Sequence, residues 1–324
     1  MAIDLEKLPR FADLPVQEGL GLRSSWGLFG PHDELGTWNL VTPRKTAEAA
    51  SMVKKGAVFS LNAPIDEMTR PLFWFRAAPR VTMFDCSFGM RISYDEYIDN
   101  FCPQSSSQWD GHRHVCHPAA GFYNGVKHEE VLAPGSMTLG IQNLAKRGVA
   151  TRGVLLDIGR FLEQEGTPLE MHSSQTIDAA TLEACRERQG VEIRPGDVLI
   201  FRLGWLQWFR EQPAQTQTQL AEHLLAPGLL AGEEMAAYLW DLHIAAIATD
   251  VIAVEAWPPV ITPGRGFFHI QLITGFGMNL GELWDLEALA EDCAADGVYE
   301  FMLTSAPLHI RGGVGSPPNA LAIK

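Results

Sequence analysis

The stretch Ser107-Gln-Trp-Asp-Gly-His-Arg-His-Val-Cys-His117 holds three of the chain's ten histidines within six residues, beside an aspartate and a glutamine. In an extended chain side chains alternate between faces, which places Gln108, Asp110, His112 and His114 on one side and Trp109, Gly111, Arg113 and Val115 on the other. A row of carboxamide, carboxylate and two imidazoles is costly to desolvate unpaired. It must meet water, satisfy itself in a hydrogen-bonded network, or hold a cation. A solvated polar strand fits this spacing too, because an H-x-H pair without a distant third ligand is a weak metal signal. His112 and His117 are equally readable as extra ligands or as solvated loop residues.

Other chemistries lack their signatures. The chain contains no G-x-S-x-G, no G-x-G-x-x-G and no G-x-x-x-x-G-K-[ST]. Gly275-Phe-Gly277-Met-Asn-Leu-Gly281 comes nearest to a dinucleotide loop, but its third glycine is displaced and a bulky methionine follows the second. Gly312-Gly-Val-Gly315 has no phosphate-gripping lysine and reads as a structural turn.

The 324 residues are 46% hydrophobic and 20% charged, which excludes a disordered chain. A formal charge of -14 repels phosphate backbones and anionic lipid, so nucleic acid and membrane surfaces are not expected partners. A small molecule is. The N-terminal residues offer no apolar signal stretch, and no apolar run approaches the ~20 residues of a bilayer span, so a cytoplasmic location is expected. Five widely spaced cysteines without a C-x-x-C pair argue against a disulfide framework or a cysteine zinc site.

The elements that would position these groups alternate. Thr42-Pro43 with Ala47, Ala50, Met52 and Val53 before Gly56 predicts a capped helix of about four turns. Asp178 to Gly190 repeats the pattern, and Val191 to Trp205 reads as a hairpin turning at Arg194-Pro-Gly-Asp197. Ile141 to Arg147 before Gly153 to Asp157, and Gly232 to Leu242 before Ile244 to Val254, each place a helix ahead of an apolar strand. Glu282 to Asp296 reads as a helix ending at Gly297, before a strand from Tyr299 to Thr304. This order predicts an α/β chain with a mixed, layered sheet, in one domain over 1–324 with an N-terminal extension of about 1–56.

The histidine-rich segment resembles the signature H-x-G-T-H-x-D-x-P-x-H of the cyclase family of metal-dependent hydrolases, which includes kynurenine formamidases and isatin hydrolases. Gln104-x-Ser106-Ser107-Gln108-x-Asp110-x-His112-x-His114 keeps its spacing, its aspartate and its last histidine, with Gln104 and Gln108 in place of two histidines. Ser25-Trp-Gly27, Asp33 to Asn39, Phe122-Tyr-Asn-Gly125, Arg152 to Asp157, Pro195-Gly-Asp197 and Gly313 to Asn319 are similar to landmarks of a longer branch of that family. The resemblance implies a β/β/α layered fold, a dimer or higher oligomer, and a centre completed by His269 and Glu282.

On that reading Asp110, His269 and Glu282 hold a divalent ion, helped by the carboxamide oxygen of Gln108 or Gln104. An oxygen-rich donor set suits manganese better than zinc. His114 would relay a proton, with Glu282 as alternative base, in hydrolysis of a small cyclic amide, lactone or N-acyl substrate. Trp109, Phe122, Tyr123, Trp26 and Trp38 could wall a cyclic or aromatic substrate. The two glutamines motivate rival readings: a metal-free binding protein, or a metal-free lyase or isomerase using His114 as base.

Overall fold

Apolar runs such as Val149–Asp157 and Val198–Arg202, too hydrophobic to face water, set the architecture: they are the buried middle of a nine-stranded mixed sheet. The computed structural model describes residues 5–17, 21–68, 71–262 and 266–324. In chain order the sheet strands are β1 (Val58–Ser60), β2 (Gln108–Asp110), β3 (Val149–Asp157), β4 (Val198–Arg202) and β5 (Ala246–Thr249). They continue with β6 (Asn279–Glu282), β7 (Glu300–Ser305), β8 (Gly315–Ser316) and β9 (Ala320–Ile323). Across the sheet the order is β8-β2-β6-β5-β4-β3-β7-β9-β1. The four strands β6, β5, β4 and β3 run parallel, and antiparallel strands flank them on both sides.

The period of two divides each central strand between two cores. Leu199 and Phe201 of β4, with Val154 and Leu156 of β3, enter a core shared with the helices Ala179–Gln189, Trp205–Glu211 and Glu233–Asp241. Val198 and Ile200, with Leu155, enter a second core containing Trp38, Trp109 and Trp284. Trp109 of β2 joins that second core, so its neighbours Gln108 and Asp110 face the opposite side.

Several elements depart from the sequence expectation. The first helix spans Pro43–Ser51, capped by the Thr42 side chain, and ends early because the Lys55 and Gly56 amides are taken by the carbonyl of Lys324. The expected hairpin at Val191 to Trp205 has one strand, β4. Its other arm has carbonyls occupied by arginines, Val191 by Arg186 at 2.8 Å and Glu192 by Arg152. The strand expected from Ile244 to Val254 is the shorter β5. Glu282 ends β6 rather than opening a helix, since it pairs with Gln108 of β2 while the residues before it, Asn279 to Gly281, pair with β5; the helix begins at Glu287. The part of the N-terminal extension at residues 1–4 and 18–20 lies outside the described residues.

A two-stranded hairpin, Arg80–Asp85 with Tyr94–Asp99, stands off this body with Met83, Phe88, Met90 and Ile92 exposed. Among the described residues no helix is long and apolar enough to cross a membrane. All five cysteines are free, and burial pushes the Cys185 and Cys293 thiols up to about 12.

The N-terminal segment is sealed against the sheet at Gly36, whose φ is +57° and where an added Cβ would stand 1.9 Å from the carbonyl oxygen of Gly277. Gly36→Ala is therefore expected to cost about 2 kcal/mol or more, combining strain with a clash against rigid backbone. A lowered melting temperature in calorimetry checks this.

Candidate metal centre

The antiparallel pairing of β2 with β6 sets Gln108 directly across from Glu282 and Asp110 across from Leu280. Trp109 is committed to the second core, so Gln108, Asp110 and Glu282 emerge on the same face. His269 reaches them from a helical turn whose continuation, Ile270–Gly275, is π-helical, with the amide of Phe276 bonded to the carbonyl of Gln271 at 3.1 Å. The widened turn explains why ordinary helical spacing around His269 says little about where its ring points.

Ligand atoms of Asp110, His269 and Glu282 lie within 4.8 Å of one another, and all three residues are buried. Gln108 Nε2 donates to Glu282 Oε2 at 2.7 Å and to the Asp110 oxygens at 3.2 and 3.3 Å. The other amide atom, Gln108 Oε1, is buried without a partner. His269 sits between two acids, with Nδ1 2.6 Å from Glu255 Oε2 and Nε2 2.9 Å from Glu282 Oε1. His114 Nε2 is 3.6 Å from Asp110 Oδ1, because the chain turns at Gly111 and brings residue 114 back one turn later.

Burial and the nearby Asp110 carboxylate raise the pKa of Glu282 above the usual range. Burial alone would lower that of His269, but the charges and hydrogen bonds of Glu255 and Glu282 outweigh it and hold the imidazole well above its ordinary value. Burial depresses His114, against the pull of Asp110, which favours the neutral ring.

The charge count shows what the pocket fits. Three buried carboxyl groups, Asp110, Glu255 and Glu282, face one imidazole ring, an excess of up to two negative charges when all are ionised. Arg76, half-buried and packed over the Phe73 ring at 4.5 Å, acts on Glu282 and His114 from the side. Uncompensated charge of that size in a dry site is removed by protons or by a cation. Ligands ~2 Å from a shared ion stand about 3 to 4 Å apart, so small side-chain shifts would let the three donors share one. Rotating the Gln108 amide, whose oxygen and nitrogen are interchangeable in shape, would turn its unpaired oxygen toward the same gap.

The other anticipated residues are placed differently. Gln104 Nε2 is buried and unpaired against Gly315, where a Cβ would come within 2.5 Å of it, and makes no hydrogen bond to the acidic cluster. His112 leaves the expected face: both ring nitrogens meet carbonyl oxygens, Glu34 at 3.1 Å and Gly277 at 3.0 Å, tying the N-terminal segment to the sheet. His117 Nδ1 accepts the amides of Ala119 and Ala120 at 3.2 and 3.1 Å, within a local turn.

Trp109 and Trp38 are fully buried edge to face, 5.6 Å apart, which removes them from any substrate wall. Tyr123 is also fully buried, its hydroxyl donating to Asp33 Oδ2 at 3.0 Å, and Phe122 packs on His128. Trp26 is half-buried with Nε1 on the Thr274 carbonyl at 2.7 Å. Two residues beside the cluster, Glu255 and Arg76, are absent from the sequence-based site. The trace of Glu255 in the sequence is a lone acid between Val254 and Ala256 at the end of an apolar run.

Comparison with known proteins identifies the family and the fold. The cyclase family model matches residues 59–256. The crystal structure of a novel cyclase superposes with a TM-score of 0.82 and 33% identity, covering 93% of this chain and 99% of its own. The chain therefore belongs to the cyclase family. Isatin hydrolase A from Labrenzia aggregata, bound to benzyl benzoate, shares the fold at a TM-score of 0.54 and 15% identity, over 82% of this chain and 93% of its own. Isatin hydrolase A from Ralstonia solanacearum does so at 0.53 and 16%, over 82% and 91%. No curated protein sequence matches.

Trp38 tests the boundary between core and site. Its Nε1 donates to Asn279 Oδ1 at 2.8 Å, so Trp38→Phe leaves a buried acceptor unpaired. The expected loss is about 1–3 kcal/mol in denaturant unfolding, with divalent-ion binding unchanged.

Proposed function

We propose that the chain is a metal-dependent hydrolase acting on a small cyclic amide, lactone or N-acyl substrate. The observation that carries this reading is the buried Asp110–His269–Glu282 cluster with its excess of negative charge. Asp110, His269 and Glu282 would hold a divalent cation, with the carboxamide oxygen of Gln108 as a fourth donor, and this oxygen-rich set favours manganese over zinc. Such an ion supplies Lewis-acid polarisation of a carbonyl and a bound water acidic enough to act as nucleophile.

The chain's own residues do the rest. His114, its neutral form favoured and 3.6 Å from Asp110, is oriented to accept a proton and return it to the leaving nitrogen or oxygen. Glu282, with its raised pKa, can share that proton. The buried surroundings exclude bulk water and strengthen every charge interaction at the reacting atoms.

One observation favours the metal-free alternative: Gln108 Nε2 bridges Asp110 and Glu282 as a neutral donor in the gap an ion would fill. A single series of measurements separates the two. Protein purified without chelator is expected to carry roughly one equivalent of divalent metal, with activity on isatin, N-formylkynurenine or simple lactones lost to chelator and restored by Mn2+. Asp110→Ala should lose both metal and turnover; metal-free protein that neither Mn2+ nor Zn2+ rescues would favour the binding-protein or lyase reading instead. His114→Asn should keep its metal while kcat falls by about 10²- to 10⁴-fold.

A further inference from the structure

We infer that Glu255 is a positioning residue for the candidate centre, holding His269 through Nδ1 so that Nε2 points into the Asp110–Glu282 gap. The inference rests on the reading of Asp110, His269 and Glu282 as ligands. Glu255 lies outside the motif residues, fourteen positions before His269, yet its Oε2 stands 2.6 Å from His269 Nδ1. With Nδ1 committed to Glu255, the ring can meet a cation only through Nε2, the nitrogen facing Glu282 at 2.9 Å. A carboxylate behind a ligating imidazole holds the ring's orientation and makes its other nitrogen a stronger donor.

The backbone around Glu255 is built to hold this contact. The amide of Leu229 bonds the carbonyl of Val254 at 2.9 Å, and the amide of Ala256 returns to the carbonyl of Leu229 at 3.2 Å. Gly228 permits the approach: a Cβ there would meet the carbonyl carbon of Glu255 at 2.4 Å. The segment before it, Gly228–Leu229, is itself paired with Thr176–Ile177.

A purely structural ion pair explains less. Glu255 is 1% exposed, and its second oxygen, Oε1, is buried with no hydrogen-bond partner. A half-satisfied buried carboxylate weakens a fold, so stability alone gives no reason for one here. Strengthening His269 does, above all in a donor set that includes a neutral amide, Gln108.

The test uses full-length protein and Mn2+ as the probe. Glu255→Gln preserves shape and can still accept the Nδ1 proton, but removes the charge. Mn2+ affinity by calorimetry is expected to fall about 10- to 100-fold, while the melting temperature of the metal-free protein stays level or rises. Affinity within twofold of wild type would overturn the inference. If wild type itself binds no divalent metal, the proposed function fails and a second readout decides this one. The Nδ1–H resonance of His269, downfield and slow to exchange in metal-free wild type, should vanish in Glu255→Leu; its persistence would overturn the positioning role.

Discussion

Two carboxylates on adjacent strands, Asp110 of β2 and Glu282 of β6, are held by backbone hydrogen bonding on one face of a sheet interior where neither can reach bulk water. At an effective dielectric of about 20, like charges 4 Å apart repel by roughly 4 kcal/mol, and the sheet gives them no freedom to separate. The surroundings answer that repulsion: the Gln108 amide bridges the pair, the His269 imidazole leans on Glu282, and Arg76 adds a positive charge from the side. The cluster is thus preorganised for a cation by its own cost, since the strands, and not the ligand, hold the acids together.

The rest of the molecule keeps that face rigid. On the reverse side Trp109 is wedged between Trp38 and Trp284, at ring separations of 5.6 and 4.8 Å, so β2 cannot roll. The Gly277 carbonyl gathers the amide and hydroxyl of Thr37, at 3.0 and 3.1 Å, and His112 Nε2. One backbone oxygen thereby joins the N-terminal segment, the histidine-rich loop and the approach to β6.

Much of this was legible in the sequence because it follows from local rules. The helix over Ala179–Gln189, with Asp178 as N-cap and Gly190 as left-handed C-cap, follows the capping pattern. The alternation through Gln108-Trp-Asp110 separates polar from aromatic side chains as the period of two requires. The face fails at His112, because the chain turns after Gly111 and strand periodicity stops with the strand. Glu282 was misplaced on a helix because its extended state comes from partners far away in sequence, β5 and β2. Glu255 was invisible for the same reason: its significance lies in a contact with His269 that no spacing rule encodes. The aromatic residues misled because a Trp in the core and a Trp at a substrate look alike until burial is known.

The division of β2 between two environments limits how this protein can diverge. Replacing Gln108 or Asp110 alters the chemistry of one surface and leaves the indole of Trp109 seated in its core. Adding or deleting a single residue between Ser107 and Gly111 would instead rotate the whole strand by half a turn, driving a carboxylate into the tryptophans and an indole among the acids. Descendants of this chain can therefore explore new donor sets by point substitution, whereas a change of length in this short segment removes centre and core together.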